Sequence, residues 1–170
     1  CMDLGRIAEG AACLGTWTSS IHEESKALGD TNIIRGGDTV NLFPVSEIFG
    51  PTIQGEGIYV GCKAVFIRFA GCDSDCDFCD TAYAKNTSGV PKFSEEEIIS
   101  TVRGMKAPIA VLTGGNPLLY QLGNLVDRLL LIFREVHVET QGTIWKDWLP
   151  YATFNTISPK RNAINLDVLT

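Results

Sequence analysis

The chain has 170 residues, 45% hydrophobic and 20% charged, with a formal net charge of -6 and a sequence pI near 4.9. That length allows one packed core and excludes two generous ones, and the acidic balance lacks the basic footprint of a protein that grips a nucleic-acid backbone. No apolar run approaches the roughly 18 residues of a membrane span, and no basic segment precedes an apolar leader, so a cytoplasmic protein acting on a small molecule is expected.

Residues 1–39 show no sustained hydrophobic period and contain adjacent glycines at 36 and 37, so they are read as a poorly ordered N-terminal arm or extension before a core domain over 40–170. A first residue Cys1 in place of Met suggests a fragment. From Val40 onward the pattern tightens. Strand-like runs occupy 40–49 (VNLFPVSEIF), 64–70 (AVFIRFA), 108–113, 134–140 and 152–158.

Helical patterns lie between these runs. The clearest start is Ser94, an N-cap with Glu97 three residues on as a capping box and Phe93 placed to pack on Ile98. Leu118, Leu122, Leu125, Val126 and Leu129 recur at helical spacing and predict a helix over 118–131, weakened at Gly123; a shorter one is predicted over 143–149. Strands separated by helices predict right-handed crossovers and a parallel sheet with buried strands.

The loops that follow the strands are unusual. A cysteine loop follows 64–70, TGGNP follows 108–112, ETQG closes 134–140, and SPK follows 152–157. In parallel α/β sheets and barrels, ligands sit at the carboxyl ends of strands, so these four loops are predicted to face one site.

Six cysteines in a reducing compartment seldom build a disulfide framework; Cys1, Cys13 and Cys62 are scattered and are read as structural. Cys72, Cys76 and Cys79 form C-x3-C-x2-C on one loop. A four-iron cluster usually takes four cysteines, so a local trio leaves one iron open to an outside ligand. Spacing alone keeps a zinc Cys3His site as the competitor, with only His22 and His137 available.

The cysteine loop, with Phe78 before its last cysteine, resembles the signature of the radical S-adenosylmethionine (SAM) superfamily. Together with EIFGPTIQGEG, FIRFAGC, CDT, TGGNP, ETQG and SPK, it is similar over about 40–160 to the 7-carboxy-7-deazaguanine synthase family. The resemblance implies a partial parallel β/α barrel, a 4Fe-4S cluster on the three cysteines, and SAM chelated to the open iron. It also implies a 5'-deoxyadenosyl radical that takes a hydrogen from 6-carboxy-5,6,7,8-tetrahydropterin; the ring contracts, ammonia leaves, and a precursor of queuosine-type bases forms. A flavodoxin or ferredoxin as electron donor and a homodimer belong to the same expectation.

By that resemblance Phe78, Gly114, Gly115, Asn116, Glu139, Thr140, Ser158 and Lys160 contact SAM, and Gln54, Glu56, Arg68 and Thr113 contact the pterin. Thr81 matches the residue whose hydroxyl ligates magnesium. Asn116 stands where the family carries an acid, so an uncharged amide is expected to meet the SAM ammonium more weakly. Gly114 and Gly115 are expected to let backbone approach a ligand. Arg68 interrupts an apolar strand, which calls for an anionic partner: a substrate carboxylate, or a neighbouring Asp or Glu. The family continues beyond the point equivalent to Thr170, so the barrel is expected to be incomplete at its C-terminal side. A glycyl-radical activase, which would not need QGEG or Arg68, and a zinc-stabilised binding module are the alternative readings.

Overall fold

The computed structural model describes residues 31–35 and 38–160; Cys1, Cys13, His22 and most of the expected N-terminal arm lie outside these. Within that arm, β1 (Thr31–Arg35) already pairs antiparallel with β2 (Asp38–Ile53), so the sheet starts before Val40. The strands β3 (Lys63–Phe69), β4 (Lys92–Ser94), β5 (Ile109–Gly114), β6 (Glu135–Thr140) and β7 (Phe154–Ile157) complete a seven-stranded sheet of order β1-β2-β3-β5-β6-β7, with β4 on β2.

Strands β3, β5, β6 and β7 are mutually parallel, as the alternation of strand and helix predicts. The run at 40–49 departs from that expectation: β2 is antiparallel to β3. The connector 54–62 is shorter than the crossover of about a dozen residues that a parallel pair requires.

Helix α1 (Glu95–Val102) starts where its sequence says it should. Ser94 Oγ accepts from the Glu97 N–H, and the Glu97 carboxylate accepts from the Ser94 N–H at 2.8 Å, closing the capping box. The helix expected over 118–131 is divided. A 3₁₀ turn, Pro117–Leu119, is followed by extended Tyr120, and α2 (Gly123–Leu130) begins later. Tertiary anchoring overrides the helical period there: the Tyr120 hydroxyl donates to Ala70 O beneath the cysteine loop, and the Trp148 indole N–H donates to Tyr120 O at 3.1 Å. Residues 143–149 form no helix; only a 3₁₀ turn at Leu149–Tyr151 appears. A helix that short has little to offset its nucleation cost, and Thr143 and Trp148 are engaged elsewhere.

Alternation along the strands separates two faces. Val65, Ile67, Phe69, Ala110, Leu112, Val136 and Val138 pack against Ile98, Ile99 and Val102 of α1 and Leu125, Val126 and Leu129 of α2, forming the main core. Ala64, Phe66, Ile109 and Val111 point to the opposite face, where Phe49 and Tyr59 pack on them. Arg68 shares that face with Phe66 by the period of two, one step nearer the carboxyl ends of the strands. Among the described residues no helix is long and apolar enough to cross a membrane.

Candidate active site

A cavity of about 670 Å³ opens at the carboxyl ends of the parallel strands, within the size range of small-molecule sites. Its wall includes Cys72, Cys76, Phe78, Cys79 and Thr81 from the loop after β3, and Thr113, Gly114 and Gly115 from β5 and its loop. Glu139 and Thr140 come from the end of β6, Ser158 and Lys160 follow β7, and Gln54 and Glu56 come from the β2–β3 connector with Arg68 on β3. The four loops therefore meet at one rim.

Asn116 is the exception and corrects the expectation. Its side chain is fully buried, and it does not line the cavity. It caps the 3₁₀ turn: Oδ1 accepts from the Leu118 N–H at 3.2 Å and from the Thr140 hydroxyl at 2.9 Å. Both lone-pair directions are then used, which leaves none for a ligand's ammonium.

The two glycines, which line the cavity, also serve the packing of the loops. A Cβ on Gly115 would overlap Gly71 O and lie 2.6 Å from Gly71 C and 3.0 Å from Cys72 Cβ. At Gly114, with φ +137°, a Cβ would sit 2.7 Å from Phe69 N. Protein backbone fills the space that side chains would need. The pair lets the β5 loop lie directly on the cysteine loop, where the Asn116 N–H reaches Gly71 O at 2.8 Å and the Gly115 N–H reaches Phe69 O at 3.1 Å.

Arg68 has a neighbouring acid as its anionic partner. Its Nε donates to Glu47 Oε1 at 2.7 Å, and Glu47 also accepts from the Tyr83 hydroxyl at 2.6 Å. The guanidinium lies 5.6 Å from the centroid of the Phe49 ring, which stacks on Phe66 at 5.0 Å. Glu47 takes only the Nε edge, so the two terminal nitrogens remain for an anion in the cavity.

Gln54, 2% exposed, donates from Nε2 to Glu139 Oε1 at 2.8 Å and accepts the Glu56 N–H at 3.1 Å. Partial burial, then the nearby Glu139 carboxylate, pushes the Glu56 carboxyl above its ordinary pKa. A ligand donating N–H groups would relieve both effects. Lys160 Nζ donates to Ser158 Oγ at 2.8 Å, which brings a cation and a hydroxyl to the cavity lining.

Several lining residues carried no usable sequence signal. Phe49 looks like an ordinary strand aromatic, and Lys85 like a loop lysine, yet Lys85 Nζ reaches Asp75 Oδ1 at 2.8 Å and Cys76 O at 3.0 Å beside the thiols. Gln141 lies inside the quoted ETQG stretch, so position after a buried strand was an available cue. Asp73 accepts from Asn116 Nδ2, Gln141 Nε2 and the Thr143 hydroxyl.

The donor set suits a cluster. Three half-buried thiols share one cavity wall, and burial pushes the Cys72 thiol above its ordinary pKa. A cation-rich inorganic group reverses that penalty, because it binds thiolate directly. Among the described residues no three His, Cys, Asp or Glu side chains converge as ligands of a single ion would. A four-iron cluster presents a separate iron to each sulfur, and three cysteines lining one cavity match that donor set.

Comparison with known proteins agrees with this chemistry. The Radical SAM superfamily profile matches residues 66–157. The chain is 43% identical over 131 residues to the 7-carboxy-7-deazaguanine synthase of Bacillus cereus, covering 71% of this chain and 54% of that protein. It is 40% identical over 124 residues to the Bacillus subtilis enzyme, covering 69% and 51%. The crystal structure of QueE from Escherichia coli superposes with a TM-score of 0.65 at 30% identity, covering 72% of this chain and 61% of that one. The chain thus spans about half the length of the curated relatives it matches.

Proposed function

The chain belongs to the radical SAM superfamily, and from that premise we propose that it converts 6-carboxy-5,6,7,8-tetrahydropterin to 7-carboxy-7-deazaguanine with release of ammonia. One observation carries the reading: the cysteine loop, the two glycines of TGGNP, ETQG, SPK and the QGEG connector line a single cavity that also contains Arg68. Cys72, Cys76 and Cys79 would hold a 4Fe-4S cluster, which together with SAM would supply one-electron radical chemistry and hydrogen-atom abstraction.

The protein's own residues bind and orient. Arg68 offers its terminal nitrogens to the pterin carboxylate while Glu47 fixes the guanidinium plane. Phe49, stacked on Phe66, gives a flat apolar surface for the bicyclic ring. Gln54, Glu56 and Thr113 meet the ring's amide and amino edges. Glu139 accepts from ribose hydroxyls of SAM, Ser158 and Lys160 meet its carboxylate, and Phe78, Gly114, Gly115 and Thr140 enclose it. Thr81, whose Oγ1 lies 3.7 Å from Cys79 Sγ, offers its hydroxyl to Mg²⁺. A glycyl-radical activase would leave Arg68 and QGEG without a task at the cavity.

The same reading includes a cytoplasmic location, a flavodoxin- or ferredoxin-type electron donor and a homodimer. Anaerobic reconstitution with iron and sulfide, followed by turnover of the pterin with SAM, should yield the deazapurine by mass and one ammonia per product. Zinc without sulfide in the purified chain, or deoxyadenosine formed equally with and without pterin, would reject it.

A further inference from the structure

The three cysteine sulfurs differ in the donors around them. Cys72 Sγ lies 3.4 Å from the Ser74 N–H nitrogen and 3.7 Å from Gln141 Nε2. Cys79 Sγ meets the Thr81 hydroxyl at 3.7 Å, and among the described residues nothing hydrogen-bonds to Cys76 Sγ.

Gln141 is 5% exposed, and its orientation is dictated. Its Nε2 donates to Asp73 Oδ1 at 2.6 Å. A carboxylate only accepts, so the amide must turn its nitrogen toward Asp73. The second N–H then falls between Cys72 Sγ and Ser74 Oγ, the latter at 3.5 Å. Asp73 is itself held by the buried Asn116, whose Nδ2 donates to it at 2.8 Å, and by the Thr143 hydroxyl. A continuous chain of hydrogen bonds runs from the core through Asn116, Asp73 and Gln141 to one sulfur.

We propose that Gln141, aimed by Asp73, is a positioning residue whose amide N–H donates to the Cys72 sulfur and raises the reduction potential of the cluster this sulfur ligates. The inference rests on the cluster reading above. A donor to sulfur stabilises the extra negative charge of the reduced state, which is one of the ways proteins set cluster potentials.

The full chain and its Gln141→Leu, Asp73→Ala and double variants are reconstituted anaerobically without SAM. Iron and sulfide are quantified, and the midpoint potential is read by EPR across a reductive titration. Gln141→Leu should hold parental iron and sulfide yet reduce less readily: at the parent's midpoint its reduced-to-oxidised ratio should fall on the order of threefold, as expected for one weak hydrogen bond. Asp73→Ala removes a carboxylate charge as well as the aim, so its own midpoint is the reference for the double variant: adding Gln141→Leu in that background should move the midpoint less than adding it to the parent, and an undiminished shift overturns the role of Asp73. Where leucine prevents loading, Gln141→Asn, with a shorter reach, is expected to show the same shift, and a parental midpoint in it overturns the proposal. A parental midpoint in fully loaded Gln141→Leu overturns the proposal and leaves the function reading intact. A parent chain holding zinc without sulfide overturns both.

Discussion

Gly115→Ala tests the claim that the cysteine loop is shaped by backbone lying on backbone. The new methyl would overlap Gly71 O and stand 2.6 Å from Gly71 C and 3.0 Å from Cys72 Cβ, so the two loops must separate by several tenths of an ångström or more. Separation threatens the hydrogen bonds from the Asn116 N–H to Gly71 O and from the Gly115 N–H to Phe69 O. Overpacking of this kind costs about 1–3 kcal/mol, and each buried hydrogen bond lost adds about 1 kcal/mol. A total of about 3 kcal/mol corresponds to a fall in Tm of roughly 6–12 °C for a chain of this size.

Differential scanning calorimetry of the parent, Gly115→Ala and Gly104→Ala provides the comparison, with iron per chain measured after reconstitution. Nothing lies within 4 Å of a Cβ at Gly104, so that variant should melt within a few degrees of the parent and load iron normally. Gly115→Ala should melt well below both and bind less iron, because Cys72 is displaced with the loop. Equal melting of the two alanine variants, with equal iron, would refute the reasoning.

Arg68→Lys keeps the charge but loses the planar fork; KM for the pterin should rise about tenfold, while stability changes by under about 1 kcal/mol because the Glu47 partner is 40% exposed. An unchanged KM would remove Arg68 from the carboxylate. Thr81→Ala should abolish stimulation of turnover by Mg²⁺ while retaining the cluster; stimulation equal to the parent's would reject the hydroxyl as a ligand. Glu135 is held below its ordinary value of 4.5 by the hydrogen bond to His137, then by Arg134. Its stabilising contribution is therefore complete above that value and is lost as pH falls through the lower folded value. The Tm gap between parent and Glu135→Gln should narrow as pH drops below 4.5, and a gap independent of pH would contradict the assignment.

Local chemistry was legible in the sequence because it depends on neighbours along the chain. Ser94 and Glu97 cap α1 as their spacing requires, the apolar runs become β3, β5, β6 and β7, and the loops that follow those strands meet at one rim because parallel strands place their carboxyl ends together. The C-x3-C-x2-C spacing puts three thiols on one wall for the same reason. What the sequence could not decide is how side chains far apart in number divide their hydrogen bonds. Asn116 looks like a ligand residue until Leu118 and Thr140 are seen to use its oxygen, and nothing next to Asp73 in the chain marks the Asn116, Gln141 and Thr143 side chains that close on it. Tyr120 leaves a helical pattern because Ala70 and Trp148 offer it partners. Each outcome is a competition among donors and acceptors that only the packed chain brings within about 3 Å of one another.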